Sequence, residues 1–408
     1  MIISYFIAKR LAFSKQKSFS RLIIRIAAAA VALSVAVMII STALVNGFQK
    51  EISSKMFGFW GHIQITRYDR NYSFESSPIS SRQPFYPSID TLPGIRHIQQ
   101  FATKPGIIKT GRQFEGVVLK GIAPDFDWSF IRRYLVAGDT LTLMPNTMSY
   151  GIIVSKTSAR RLGLAPGDRL TVDFIDPNTL RVRARRFTVT GIYHTGLAES
   201  DKLFALVDIR QIQRLNGWDH GEVGGFEIFL DDVRDLDDLG TAVYRMMPPE
   251  LNAITVKQIK PNLFDWLELQ STNEQVILIL MLLVATINMI TALLILILER
   301  TNMIGILKAL GASDWSIRKI FLYQAAYIIL AGMLIGNAIG LGLTWLQWKF
   351  SLITLPEETY YVSVAPVSLD PLHLLLINLI TLAVCLFFLL LPSYLVSRIR
   401  PIRAIRFD

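Results

Sequence analysis

The chain has few charged residues and almost no cysteine. Charged residues make up 18% of its 408 residues, against about 25% in typical soluble domains, while hydrophobic residues make up 51%. Cys385 is the single cysteine, which excludes an intrachain disulfide and a cysteine-rich zinc or iron–sulfur site. This composition argues against a cytosolic enzyme and against a disordered chain, and it points to the membrane.

The usual catalytic and metal-binding motifs are also missing. No G-x-x-x-x-G-K-[ST] phosphate-binding loop occurs, so the chain cannot hydrolyse ATP by that route. The five histidines are scattered, without H-E-x-x-H or H-x-x-x-H spacing. The acidic cluster over 231–238 lacks the glycine and terminal glutamate of a calcium loop and suits the entrance of a helix over 236–247. We therefore predict a non-catalytic chain with no metal and no cofactor of its own.

Four uncharged apolar runs are long enough to cross a membrane, which takes about 20 residues. They are Ala27–Val45, Val276–Leu298, Ile320–Trp348 and Leu372–Val396. The first could also be a signal peptide, but its length exceeds the roughly 7–15 residues of a signal h-region. We predict an α-helical membrane protein with four transmembrane helices, and a large α+β extracytoplasmic domain over 46–275 between helices 1 and 2.

The positive charge is concentrated in three short segments, 1–26, 299–319 and 397–408, which together carry a net charge of +11. The 46–275 insert has a net charge of +1 and the 349–371 loop of −2. Because short basic loops stay in the cytoplasm, we expect both termini and 299–319 to be cytoplasmic and the insert to be periplasmic. The excess charge is then a signal for topology and lipid headgroups, not for nucleic acid. Residues 2–25 fit either an amphipathic surface helix or a basic flank that only sets topology.

The insert reads as mixed α+β. Helical spacing continues beyond the first span to Phe59 and precedes the second span from Phe264, which predicts two stalk helices. Alternating patterns predict strands that include 62–66, 169–174 and 185–191. We divide the insert into a βαβ-like part from both ends (46–115 and 226–275) and a β-rich part over 116–225, and we expect 67–93 to be a flexible excursion.

The loop between the second and third runs contains a short helix. Its apolar side chains recur at helical spacing, Gly311 can stop it, and Ser313 can cap the helix that follows. The segment is either a connector lying on lipid or a docking element for a protein partner. The apolar residues with helical spacing are Met303, Ile306, Leu307 and Leu310.

The third run carries glycines four residues apart, at Gly332, Gly336 and Gly340. Such a stripe lets two helix backbones approach closely in lipid. Its partner is either the chain's own fourth span or a second permease, and we favour the intrachain contact. Polar residues within the spans, such as Asn337, are expected to form interhelical hydrogen bonds.

These segments resemble a known family. Glu299-Arg300-Thr301 followed by 304–312 (IGILKALGA) resembles the coupling-helix segment of the FtsX/MacB-type ABC transporter permeases. Residues 7–10 (IAKR), 45–51 (VNGFQKE) and 401–406 (PIRAIR) are similar to the lipoprotein-releasing (Lol) permeases within that superfamily. The sequence departs from many relatives at Asn302-Met303, where they have Arg-Glu or similar, so the charge contacts with the ATPase are expected to differ.

The resemblance implies that the cytoplasmic helix seats in a groove of a separate ATPase subunit, which binds ATP and magnesium. The four apolar residues above would fill that groove, next to the Gly311 stop, and Glu299, Arg300 and Lys308 would form ion pairs at its rim. The implied partners are an ATPase dimer, a second permease (identical or related), a lipoprotein cargo and the inner membrane.

Two further sites are expected. A lateral substrate opening would be lined by the first and second spans, a guess from helix adjacency. The hairpin over 174–186 matches a loop that recruits a periplasmic lipoprotein carrier in some Lol permeases, although it can also be a plain hairpin. The expected cavity residues are Val37, Met38, Ser41, Val284 and Asn288. The expected hairpin-tip residues are Ile175, Pro177, Leu180 and Val182.

The expected function is therefore that of a permease subunit of an ATP-driven transporter that extracts lipoproteins from the inner membrane, with motion passed from the ATPase to the periplasmic domain. Two alternatives stay within the superfamily: a MacB-like exporter and an FtsX-like regulator. A membrane-anchored extracytoplasmic sensor is the alternative from another class.

Overall fold

The computed structural model describes residues 19–69, 73–111, 113–144, 147–175 and 181–398. They fall into two compact units. The helical unit contains residues 19–50, 266–354 and 364–398. The sheet unit contains the described residues of 51–265 together with 355–363.

The helices of the described chain are α1 (Phe19–Trp60), α2 (Ser129–Arg133), α3 (Lys156–Leu162), α4 (Ala198–Leu203), α5 (Ile209–Asn216), α6 (Leu236–Met246), α7 (Val256–Ile259), α8 (Pro261–Glu299), α9 (Thr301–Ala309), α10 (Asp314–Phe350), α11 (Glu357–Tyr360), α12 (Pro371–Ser393) and α13 (Leu395–Arg398). The strands are β1 (Ile63–Arg67), β2 (Ile79–Ser80), β3 (Ile95–Thr110), β4 (Gln113–Ile122), β5 (Leu135–Gly138), β6 (Gly151–Ser155), β7 (Arg169–Ile175), β8 (Val182–Tyr193), β9 (Phe204–Asp208), β10 (Glu222–Val223), β11 (Gly225–Leu230) and β12 (Leu251–Thr255).

Within the described residues, four helices are long and apolar enough to cross a membrane. Each is longer than its apolar run. The 42-residue α1 contains no proline and has a length of about 63 Å, roughly twice the ~30 Å hydrocarbon thickness of a bilayer. Helix α8 begins at Pro261, where a missing N–H costs nothing. The helical continuations predicted beyond the first span and before the second are confirmed.

Specific contacts join the helices of the helical unit. Asn337 of α10 and Asn378 of α12 exchange reciprocal amide hydrogen bonds of 2.6 and 3.0 Å, which confirms the interhelical role expected of Asn337. The hydroxyl of Thr42 on α1 donates to Glu274 on α8 at 2.6 Å. Cys385 is fully buried in the apolar core of this unit, as expected of a packing residue.

The sheet unit is built on a sheet of ten strands in the order β12-β1-β11-β3-β4-β9-β6-β8-β5, with β7 pairing β3 and β8. The 16-residue β3 is the longest strand and pairs with β11, β4 and β7. Because β4 crosses residue 116 and pairs with β3 along its whole length, hydrogen bonding is continuous through the two parts into which the sequence divides the insert.

The sequence pattern located most strands of this sheet but missed three, β5, β6 and β9. Strands β6 and β9 are buried along their whole length, so they lack the polar–apolar alternation that marks a strand with one exposed face. The expectation of a flexible excursion over 67–93 is wrong for residues 73–93. There Phe85 and Ile89 are buried in the core, and β2 pairs with β10.

Candidate functional site

The predicted coupling segment folds as the short helix α9. Its stop is a Schellman motif: Gly311 has φ +88°, its N–H donates to the Lys308 carbonyl at 3.0 Å, and the Ala312 N–H donates to the Leu307 carbonyl at 3.0 Å. The Ser313 hydroxyl then accepts from the Ser316 N–H and caps α10. Both the predicted stop and the predicted cap are confirmed.

Helix α9 has two different faces. Met303 and Leu307 pack against the apolar core of the helical unit, beside the buried Ile304. Ile306 and Leu310 instead point away, with exposed fractions of 52% and 79%. The structure therefore divides the four apolar residues that were expected to fill one groove. The outer face of α9, as we call it, comprises Asn302, Ile306, Ala309 and Leu310, all exposed.

The charged residues at this helix also differ in their surroundings. The Lys308 ammonium lies 2.9 Å from the Asp314 carboxylate and 3.2 Å from the Ser397 carbonyl oxygen, and its side chain is largely buried. It therefore stabilises the turn into α10 from within the chain. Glu299 is exposed at the end of α8 and Arg300 is half-buried.

The glycine stripe of α10 packs against α1. A Cβ atom built on Gly332 would lie 2.8 Å from the Ala28 carbonyl oxygen, and one on Gly336 would lie 2.6 Å from the Ala32 carbonyl oxygen. A Cβ on Gly340 would lie 3.0 Å from the Ile39 Cβ. The favoured intrachain contact is thus correct, but the partner is the first span and not the fourth.

The residues expected to line a substrate opening do not share one environment. Met38 is buried in the core of the helical unit, Val37, Ser41 and Asn288 are half-buried, and Val284 is exposed. The guess from helix adjacency therefore overlooked that one side of α1 packs inward.

The hairpin expected to dock a carrier is formed by β7 and β8, whose last described pair is Ile175 opposite Val182. Both side chains are more than half exposed, as an apolar tip requires. Pro177 and Leu180 lie outside the described residues. An Arg183 guanidinium N–H donates to the Leu215 carbonyl at 3.1 Å, which ties the hairpin to α5 next to its last described pair.

A buried ionic network, which the sequence reading missed, lies where α1 ends. Lys120 and Glu227 form an ion pair of 2.7 Å, and both are almost completely buried. Gln64 and Gln99 donate to the two carboxylate oxygens of Glu227 at 3.2 and 2.9 Å. Charged residues in otherwise apolar strands are the only sequence signal, because the partners lie more than 100 positions apart.

A second network connects the loop over 355–363 to the rest of the sheet unit. The His194 imidazole lies 3.0 Å from Asp201 through Nδ1 and 3.0 Å from Glu357 through Nε2. Asp201 in turn accepts from the Thr195 hydroxyl at 2.6 Å. The Lys55 ammonium donates to the Tyr361 carbonyl at 3.0 Å. The loop is therefore held at two points.

Burial changes the acid–base behaviour of several groups in the sheet unit. It lowers the pKa of His62 to about 4, and the neutral ring stacks on Phe57 at 4.3 Å and accepts from the Leu230 N–H. Burial and the neighbouring carboxylate of Asp125 raise the pKa of Tyr86 to about 12. None of these groups lies in a catalytic arrangement, and the described residues contain no cluster of three His, Cys, Asp or Glu side chains that could hold a metal.

Two family models match the chain. The MacB-like periplasmic core domain matches residues 26–245, more than half of the chain. The FtsX-like permease C-terminal domain matches residues 275–401. The first match covers the first span and most of the sheet unit, and the second match covers the three later spans.

Curated relatives match over nearly their whole length. The lipoprotein-releasing system transmembrane protein LolC of Xylella fastidiosa is 26% identical over 93% of this chain and 92% of its own. LolC of Neisseria meningitidis is 24% identical over 97% and 96%, and LolE of Haemophilus influenzae is 23% identical over 97% of both chains.

Two solved structures also match the chain in part. The extracellular domain of the transporter YknZ from Gram-positive bacteria covers 47% of the chain at 12% identity and a TM-score of 0.32. The periplasmic region of MacB from Actinobacillus actinomycetemcomitans covers 49% at 15% identity and a TM-score of 0.33.

The two domain matches span the first apolar helix, the inserted α+β domain and the three following helices in the order in which this chain has them. The chain therefore belongs to the FtsX/MacB-type ABC transporter permeases, in which it is a relative of the lipoprotein-releasing system transmembrane proteins.

Proposed function

We propose that this chain is the permease subunit of an ABC transporter that releases lipoproteins from the inner membrane. The observation that carries the proposal is the similarity to lipoprotein-releasing relatives over more than nine tenths of both chains. ATP and magnesium would be bound by a separate ATPase, and the chain itself would perform no chemistry. A second permease, identical or related, would complete the complex.

The outer face of α9 is the proposed contact with the ATPase. Ile306 and Leu310 are exposed apolar side chains on a segment that the charge pattern assigns to the cytoplasm. Exposed apolar side chains that lie together mark contacts with a protein or a membrane, and we assign these two to the ATPase. Met303 and Leu307 would connect the docked helix to the core of the helical unit, and Glu299 and Arg300 would lie at the rim.

Motion would then pass outward through α1 and α8. Each is a continuous helix that contributes residues to both units. An uninterrupted helix resists bending better than a loop, so displacement of α9 would reach the sheet unit. The exposed tip at Ile175 and Val182 is a proposed contact for a periplasmic carrier. Binding of that carrier should weaken when 175–183 is deleted, and unchanged affinity would exclude this contact.

A second candidate is export of another substrate. It is favoured by the MacB-like domain match over 26–245, which is larger than the permease match. Depletion of the protein in its own host separates the two candidates. Lipoproteins that accumulate in the inner membrane support release, whereas unchanged lipoprotein sorting together with drug or peptide sensitivity supports export. A purified protein that retains no ATPase subunit under any detergent condition would favour a sensor.

A further inference from the structure

The sheet unit contains a cleft of about 640 Å³ whose floor is one face of the sheet. Thr66 of β1 pairs with Asn252 of β12, and Gln64 pairs with Ile254, so these four side chains share that face. All four line the cleft. β12 is the terminal strand of the ten-stranded sheet.

Aromatic side chains form the walls of the cleft. The Trp60 and Phe204 rings meet edge to face with centroids 5.0 Å apart, and Phe74 contacts Phe204 in the same way at 5.9 Å. Phe74 is nearly half exposed at the entrance. Aromatic rings offer a large contact area to a ligand at a small cost in conformational entropy.

The rim carries charges of both signs. Glu75 pairs with Lys104 at 2.7 Å, and Lys260 pairs with Glu199 at 2.9 Å while lying over the Trp60 ring. An acyl chain would bury the polar floor at Thr66 and Asn252 without hydrogen bonds. A mixed rim also lacks the excess positive charge that an anionic headgroup requires.

We propose that this cleft binds an extended segment of the cargo polypeptide. An extended peptide offers apolar side chains for the aromatic walls and polar backbone groups for the floor at Thr66 and Asn252. The inference rests on the proposed function, since it assigns the occupant to the lipoprotein's protein part. Trp60 is the last residue of α1, so cargo in the cleft would contact the end of the helix that continues from the first span.

The test uses the full chain, reconstituted in nanodiscs with its ATPase and a purified lipoprotein. A photo-crosslinking residue, p-benzoylphenylalanine, replaces Phe74 in one sample and Tyr244, an exposed aromatic on α6, in the control. We expect a crosslink to the cargo polypeptide from position 74 and little from position 244. A crosslink only to lipid, or none from position 74, would overturn the proposal.

Substitutions test the same cleft without a probe. Phe74→Ala removes part of a wall of the cleft, and Asn252→Trp fills its floor. Each variant should slow lipoprotein release about tenfold, as loss of a central contact does. Tyr244→Ala should leave release unchanged, and all three variants should keep the wild-type melting temperature. A wild-type complex that releases no lipoprotein ends the proposed function. If both cleft variants release lipoprotein as fast as the wild-type complex, the cleft is not a cargo site, while the proposed function still stands.

Discussion

The Lys120 ammonium lies 2.7 Å from the Glu227 carboxylate, and the same ammonium donates to the Phe59 carbonyl at 2.6 Å. Phe59 is in the last turn of α1, where carbonyl groups lack helical partners. Gln64 satisfies the next carbonyl, that of Trp60, at 3.0 Å. The end of a 42-residue helix is therefore fastened to β1, β4 and β11 by hydrogen bonds that water does not reach.

Removing one charge of this pair should strongly destabilise the sheet unit. In Lys120→Met the Glu227 carboxylate stays buried without its counter-ion, which costs about 3–5 kcal/mol. The apparent melting temperature in detergent should fall by on the order of 10 °C.

The double variant Lys120→Met with Glu227→Leu is the informative comparison for that pair. It should recover part of the loss because no charge stays buried, but not all of it, since the Phe59 carbonyl and two glutamine amides lose partners. A double variant as unstable as the single one would show that packing, and not charge, determines the effect.

Low pH should destabilise the sheet unit through His62. Its pKa in the fold is about 4, whereas an unfolded histidine has a pKa of about 6.5. Between these two pH values His62 is protonated in the unfolded chain but not in the folded one. The free energy of unfolding therefore falls as the pH decreases from about 6.5 towards about 4. Between pH 7.5 and 5 we expect a loss of about 2 kcal/mol from this residue.

The measurement compares melting temperature against pH for the wild type and His62→Phe. The variant keeps the stacking on Phe57 and loses the acceptor for the Leu230 N–H, so it should be less stable at pH 7.5 and less sensitive to acid. Parallel curves for the two proteins would exclude His62 as the titrating group.

The sequence predicts the four spans and the insert because apolar length and loop charge are local signals. The Gly311 stop and the Ser313 cap follow from local signals too. The Lys120–Glu227 pair does not, since it joins strands 107 positions apart, and neither does the choice of α1 as partner of the glycine stripe. A stripe specifies close approach, but not the helix that approaches.

Helical spacing also overpredicted the docking surface. Met303, Ile306, Leu307 and Leu310 lie within a broad apolar face, which a nine-residue helix can split between its own core and a partner. Only burial in the folded chain assigns Met303 and Leu307 inward. The cleft below Phe74 was not predictable either, because its walls come from α1, β9 and the segment before β2.

The glycine stripe gives a prediction with an internal control. Gly336→Ala places a methyl group about 2.6 Å from the Ala32 carbonyl oxygen, so α1 and α10 must separate, at a cost of about 1–3 kcal/mol. Gly342→Ala adds the same methyl to the same helix where no atom lies within 4 Å. We expect the melting temperature to fall for the first variant and to stay at the wild-type value for the second. Equal values would place the tight contact elsewhere.

Charge on the outer face of α9 should separate the permease from its ATPase. Leu310→Glu replaces a side chain that is 79% exposed by a carboxylate, so the isolated chain should keep its melting temperature. The amount of ATPase that copurifies with it should fall at least about tenfold. Leu307→Glu, one turn earlier but packed inward, should lower the melting temperature itself, because a charge enters an apolar core. Copurification and thermal unfolding of both variants distinguish the two faces. If Leu310→Glu retains the ATPase at the wild-type level, the outer face of α9 is not where the two subunits meet.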